Sequence, residues 1–99
     1  MDHGHDDKPG LTGAERSKLR GLAQTLDPKV FVGKAGVNAG IAKLLEEAFR
    51  NADLVKVRFT AEREEMDKQA QELAKLTESE VIGTVGRTAT FFKLGADAE

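Results

Sequence analysis

Gly33-Lys34-Ala35-Gly36 combines a cation with backbone freedom at one point of the chain. Neither glycine has a Cβ, so either can take a positive φ and let another backbone come close. Lys34, between them, adds a mobile positive charge. The preceding run, Val30-Phe31-Val32, is apolar, and an amphipathic pattern starts at Asn38-Ala39-Gly40-Ile41. The natural parsing is strand, tight loop, helix. Asn38 suits the N-cap, because its side-chain oxygen can accept from an otherwise unpaired amide of the first turn. That turn then faces the loop with free N–H groups and the positive end of the helix dipole, an arrangement that favours a phosphate.

Two better-known phosphate loops do not fit. A Walker A loop needs G-x-x-x-x-G-K-[ST], whereas here the lysine follows the first glycine and no hydroxyl residue follows it. The dinucleotide pattern G-x-G-x-x-G is also absent, since the glycines stand at 33, 36 and 40. What remains is G-x-x-G before a helix, the device with which KH-type modules clamp a nucleic-acid backbone. The same four residues also fit a plain structural turn.

The elements that must position the loop are legible from periodicity. Thr12-Gly-Ala-Glu15 is a capping-box pattern. It opens a helix to about Thr25, with Leu19, Leu22, Ala23 and Leu26 as the expected buried stripe. Arg16 and Arg20 share one flank of that stripe and Lys18 lies on the other. Asp27-Pro28 ends the helix, because the residue before proline disfavours the helical region. A second helix is expected from Ala39 to Asn51, with Ile41, Leu44, Leu45, Ala48 and Phe49 inward. Leu54 to Thr60 alternates as a strand, Val55, Val57 and Phe59 on one face, Lys56 and Arg58 on the other. Thr60 is expected to cap a third helix reaching Leu76, with Met66, Ala70 and Leu73 inward. Val81–Val85 and Thr88–Leu94 flank Gly86-Arg87, the pattern of a two-residue hairpin with a type II′ turn. Phe91 and Phe92, adjacent in a strand, must point to opposite faces, with Arg87 and Lys93 adding charge nearby. The order α-β-α-β-α-β-β predicts an α/β fold, a two-layer α/β sandwich with a four-stranded mixed sheet. Residues 11–94 form its single domain, between acidic tails at 1–10 and 95–99 that are expected to be disordered.

The formal charge of −2 conceals an uneven distribution. Residues 8–61 hold ten bases and five acids, net +5, whereas 62–80 hold three bases and seven acids, net −4. A basic side and an acidic third helix, the latter carrying Glu62, Glu64, Glu65, Asp67 and Glu72, are one expectation; an ordinary solvated mixture of charges fits the same composition. There is no cysteine, so thiolate metal sites and disulfides are excluded. His3 and His5 make a poor metal site, since stable sites need three or four ligands. No apolar run approaches the roughly 18 residues of a membrane span, and the polar start lacks the apolar segment of a signal peptide. The cytoplasm is the expected compartment.

Several motifs occur together in order: Leu11-Thr12, Leu19-Arg20-Gly21-Leu22-Ala23, Leu26-x-Pro28, Val32-Gly33-Lys34-x-Gly36-Val37, Asp53-Leu54-Val55-Lys56-Val57 and Val85-Gly86-Arg87-Thr88. Over residues 11–94 they resemble the CRM domain, the chloroplast RNA splicing and ribosome maturation module, in its small single-domain bacterial form. The resemblance implies a fold similar to the C-terminal domain of translation initiation factor three. It also implies RNA binding: bacterial members of the family associate with precursors of the large ribosomal subunit, and plant relatives act in intron splicing. The family's G-x-x-G falls on Gly33, Lys34, Ala35 and Gly36, its basic first helix on Arg16, Lys18 and Arg20, and its lysine-bearing second strand on Lys56 and Arg58. Two positions depart from the family pattern. Ala23-Gln24 stands where Ala-His is frequent, and Phe92-Lys93 where Tyr-Arg is frequent. The second keeps ring and charge but loses the phenol hydroxyl and the bidentate guanidinium.

Three classes of function bear on these residues. The predicted domain contains no His or Cys, and no acid or hydroxyl pair stands at a catalytic spacing, so an enzyme is not expected. An RNA-binding protein that assists ribosome assembly is the leading reading. Its expected contacts are the Gly loop, Arg16, Lys18, Arg20, Lys56, Arg58, Arg87 and Lys93, with large-subunit rRNA or its precursor as partner. The alternative is a protein-interaction module whose acidic third helix meets basic ribosomal proteins. No cofactor, small-molecule substrate or membrane partner is expected.

Overall fold

The computed structural model describes residues 12–93; His3, His5 and the acidic ends lie outside the described residues. Helix α1 (Gly13–Ala23) starts with the reciprocal capping box. The Thr12 hydroxyl accepts from the Glu15 amide at 3.1 Å, and the Glu15 carboxylate accepts from the Thr12 amide at 3.0 Å. Pro28 then opens strand β1 (Pro28–Val32), followed by α2 (Ala39–Phe49), β2 (Leu54–Phe59), α3 (Arg63–Thr77), β3 (Glu80–Val85) and β4 (Thr88–Phe92). The strands form one sheet in the order β1-β2-β4-β3. The β1–β2 pair is parallel, as a helical crossover requires, and the other two pairs are antiparallel. The fold is therefore α/β with a four-stranded mixed sheet, as the element order predicts.

Strand alternation decides where the core sits. Val30 and Val32 of β1, Val55, Val57 and Phe59 of β2, and Ala89 and Phe91 of β4 turn to one face. There they pack with Leu45, Phe49, Met66 and Leu73 of α2 and α3. Helix α1 lies across the other face, against β2 and β3. The adjacent phenylalanines divide accordingly: Phe91 is fully buried in the core, and Phe92 is half-buried on the α1 side. At the hairpin Gly86 has φ +60, and Arg87 is not among the residues with positive φ. A type II′ turn needs that combination.

Three expectations fail locally, each for a physical reason. Of the α1 stripe only Ala23 is buried; Leu19 is partly covered, while Leu22 and Leu26 are exposed. The sheet face beneath α1 carries Lys56, Thr88 and Thr90 as well as Phe92, so the helix turns Arg16, Arg20 and Ala23 toward it and leaves Leu22 and Leu26 outside. In α2, Leu44 is exposed and Ala42 takes the inner place beside Leu45 and Phe49, because one narrow face meets the sheet. Thr60 does not cap α3. Its amide and hydroxyl both donate to the Val32 carbonyl, at 3.2 and 3.4 Å, and α3 starts after Glu62 with no side-chain cap bond.

Candidate nucleic-acid interface

The Gly loop follows β1 directly. The Gly36 amide donates to the Gly33 carbonyl at 3.0 Å, closing a tight turn over Lys34 and Ala35, both exposed. Of the two glycines, only Gly36 uses its freedom, at φ +81. Asn38 caps α2 as expected, its side-chain oxygen accepting from the Ile41 amide at 2.9 Å. A Cβ at Gly36 would stand 3.4 Å from the Gln69 side-chain amide, so α3 supports the loop from behind. Sequence reasoning missed Gln69. Its signal was a polar residue three positions after Met66 and four before Leu73, on the inward stripe of α3.

Gly36→Val is expected to strain the loop on both counts. A β-branched residue at positive φ costs about 1–3 kcal/mol, and the added methyls crowd Gln69. A melting curve should show that modest loss with the fold retained, and a binding titration should show a larger loss of RNA affinity. Unchanged affinity in a folded variant would remove the loop from the interface.

Register brings part of the predicted set to the loop's end of the sheet. Val32 stands beside Phe59 and Phe31 beside Arg58, while Arg58 faces Thr88 across the β2–β4 pair. Arg87, in the hairpin turn, accepts the Phe59 amide on its own carbonyl and points a guanidinium at the Thr60 carbonyl, 3.5 Å away. The Gly loop, Arg58 and Arg87 thus share one end. Lys56 lies further along the same outer face, half-buried in a groove of about 270 Å³ with Arg20, Gln24, Thr88 and Thr90.

Other predicted contacts sit elsewhere. The Lys93 amide donates to the Asp53 carbonyl at 3.0 Å, which places Lys93 at the opposite end of β2, about 17 Å from the loop by strand rise. Arg16 is at that far end too, ion-paired with Glu80 and donating to the Val81 carbonyl at 3.4 Å. Arg20 donates to the Ile82 carbonyl and to the Ser17 hydroxyl, both at 3.2 Å. Its stem fills the space over Gly83, where a Cβ would meet Arg20 Cδ at 2.6 Å. These two arginines therefore tie α1 to β3. Lys18 is exposed and lies about 200° round the helix from Arg16, on the surface away from the sheet. The structure also presents an aromatic side chain not singled out from sequence: Phe31, 60% exposed on the outer face beside Arg58.

The sequence model of the CRS1/YhbY (CRM) domain matches residues 11–93, the whole of the fold just described. The chain belongs to this family. Among relatives of this CRM domain is YqeI of Bacillus subtilis, named a probable RNA-binding protein. It is 38% identical over 85 residues, covering 84% of this chain and 88% of YqeI. A probable RNA-binding protein of Methanocaldococcus jannaschii is 32% identical over 91 residues, covering 89% of this chain and 67% of that protein. The solution structure of a hypothetical Staphylococcus aureus protein superposes with a TM-score of 0.79 at 26% identity, over 91% of this chain and 95% of the other. The CRM fold implied by the ordered motifs and the observed fold agree, and the G-x-x-G turn of this CRM domain stands at the edge of its sheet, where a partner can reach it.

Proposed function

We propose that this CRM domain binds ribosomal RNA, in precursors of the large subunit, and assists their assembly in the cytoplasm. The observation that carries the reading is the separation of charge between the two faces of the sheet. Lys56 and Arg58 alternate with the buried Val55, Val57 and Phe59, so they lie on the face away from α3. Glu64, Glu65, Asp67 and Glu72 are exposed on α3, behind the opposite face. A polyanion meets cations on the first face and carboxylates on the second. The RNA-binding names of the relatives support the same class of partner. Contacts through Lys34, Arg58, Arg87 and loop amides go to phosphates, which gives position more than base preference.

The test is a binding titration against a large-subunit rRNA fragment over a series of salt concentrations. Affinity should fall steeply with salt, and Lys34→Ala should flatten the log K against log[salt] line by about 0.7–0.9 if it removes one phosphate contact. Co-sedimentation of the tagged protein with ribosomal precursors, followed by crosslink mapping, should locate the RNA. A salt-independent affinity, or capture of basic proteins in place of RNA, would favour α3 as a protein-docking surface and sink the RNA reading.

A further inference from the structure

Phe31 has an unusual setting for a phenylalanine. Its neighbours Val30 and Val32 are 3% and 1% exposed, so β1 is firmly seated, and the ring is outward by strand alternation rather than by fraying. Helix α1 reaches β2 and β3 on this side of the sheet and leaves the β1 end open. The ring's register partner on β2 is Arg58, exposed on the adjacent strand about 4.8 Å away. Lys34 follows three residues later in the loop, and Lys56 lies two residues before Arg58, about 7 Å along β2. Strands β1, β2 and β4 contain no acidic residue. A flat hydrocarbon ring on an open sheet, bordered by cations with no carboxylate among these strands, matches a nucleotide: a π-face for the ring and phosphates for the charges.

Resting on the RNA-binding reading above, we infer that Phe31 is a stacking platform for an unpaired RNA base, held by Arg58 and Lys34 through the flanking phosphates. A duplex keeps its base faces inside the helical stack, so the platform selects a single strand, a loop or a bulged nucleotide. Because stacking uses the π-face common to all bases, the platform tolerates any base identity. It also assigns the sheet's outer face a role separate from that of the G-x-x-G turn. The loop takes backbone, and Phe31 takes a base.

The sequence contains no tryptophan or tyrosine, so Phe31→Trp in the full chain introduces a single reporter at the site. Titration with an unstructured single-stranded RNA oligonucleotide should quench its fluorescence, and the same oligonucleotide in a perfect duplex should quench it far less. Phe31→Ala should bind the single strand about 5- to 150-fold more weakly than wild type, the range of base–aromatic stacking. Its salt dependence should stay unchanged, because no charge is lost. Phe31→Trp should retain wild-type affinity, which separates loss of the ring from loss of the fold. If wild type binds the single strand and Phe31→Ala binds it equally well, the platform is overturned while RNA binding stands, and the ring is left to a protein contact. Equal quenching by duplex and single strand would overturn the selectivity for an unpaired base. If wild type binds neither RNA, the platform and the RNA reading fall together.

Discussion

Replacing both outward cations of β2, Lys56→Glu with Arg58→Glu, is expected to weaken rRNA binding by more than about 25- to 60-fold at 0.1 M salt. Each phosphate contact contributes about 0.7–0.9 to the salt slope, which at 0.1 M is about 5- to 8-fold in affinity. Losing two such contacts gives the quoted range, and the introduced carboxylates add repulsion. The fold should tolerate the change, because Arg58 is exposed and Lys56 lines an open groove rather than the core. The paired control is Glu64→Lys with Glu65→Lys on α3, which changes net charge by the same amount in the opposite sense on the other side of the molecule. Affinity should then hold or rise slightly. Binding measured at one salt concentration decides the matter, and equal losses in both double variants would show that the sheet's outer face has no special part.

The second large effect separates two adjacent phenylalanines. Phe91→Ala is expected to cost about 3–5 kcal/mol, through lost transfer energy and the cavity left behind. Phe91 is completely buried, opposite Val55 on β2 and Val81 on β3, in the cluster that holds Leu45, Met66 and Leu73 together. For a domain of this size the melting temperature should drop by on the order of 15–30 °C, a large share of the total stability. Phe92→Ala, at a half-buried position opposite Leu54 and Glu80, should cost less than half as much. Thermal melts of the two variants test the assignment of faces. Comparable losses would mean that both rings carry the core.

Period-two alternation placed the faces of β2 correctly because its core neighbours are β-branched or aromatic, and its polar residues are cationic. The caps of α1 and α2 were legible because Thr12 with Glu15, and Asn38, each satisfy a local amide within three residues. The failures have a common origin in tertiary context. Leu22 and Leu26 have helical periodicity, yet periodicity gives only the phase of a stripe, not whether a layer exists to cover it. The surface under α1 mixes Phe92 with Lys56, Thr88 and Thr90, so arginine stems share the covering, with methylenes on the sheet and guanidinium groups on carbonyls at its edge. Thr60 has the right residue type for a cap but is recruited by the Val32 carbonyl, a partner 28 positions away. The candidate site was legible as a set of residue types and not as a place. The G-x-x-G turn was read from spacing, whereas the distance of Lys93 and Arg16 from it depends on register. Phe31 was hidden inside an apolar run because three consecutive hydrophobic residues do not reveal which one faces out.

The attachment of α1 bears on how the molecule opens. Ala23 is the one buried residue of that helix, and no α1 side chain belongs to the central cluster. Polar ties add to that small apolar contact: Arg16 on Glu80 and the Val81 carbonyl, Arg20 on the Ile82 carbonyl. Cooperative units of a fold separate where little apolar surface is shared, and α1 meets that condition while α2 and α3 do not. The helix is thus a satellite foldon, whose amides exchange with solvent through a sub-global opening that leaves the four-stranded sheet standing. Such an opening uncovers Gly83 and the threonine hydroxyls of β4, and its free energy falls as salt screens the Arg16–Glu80 pair.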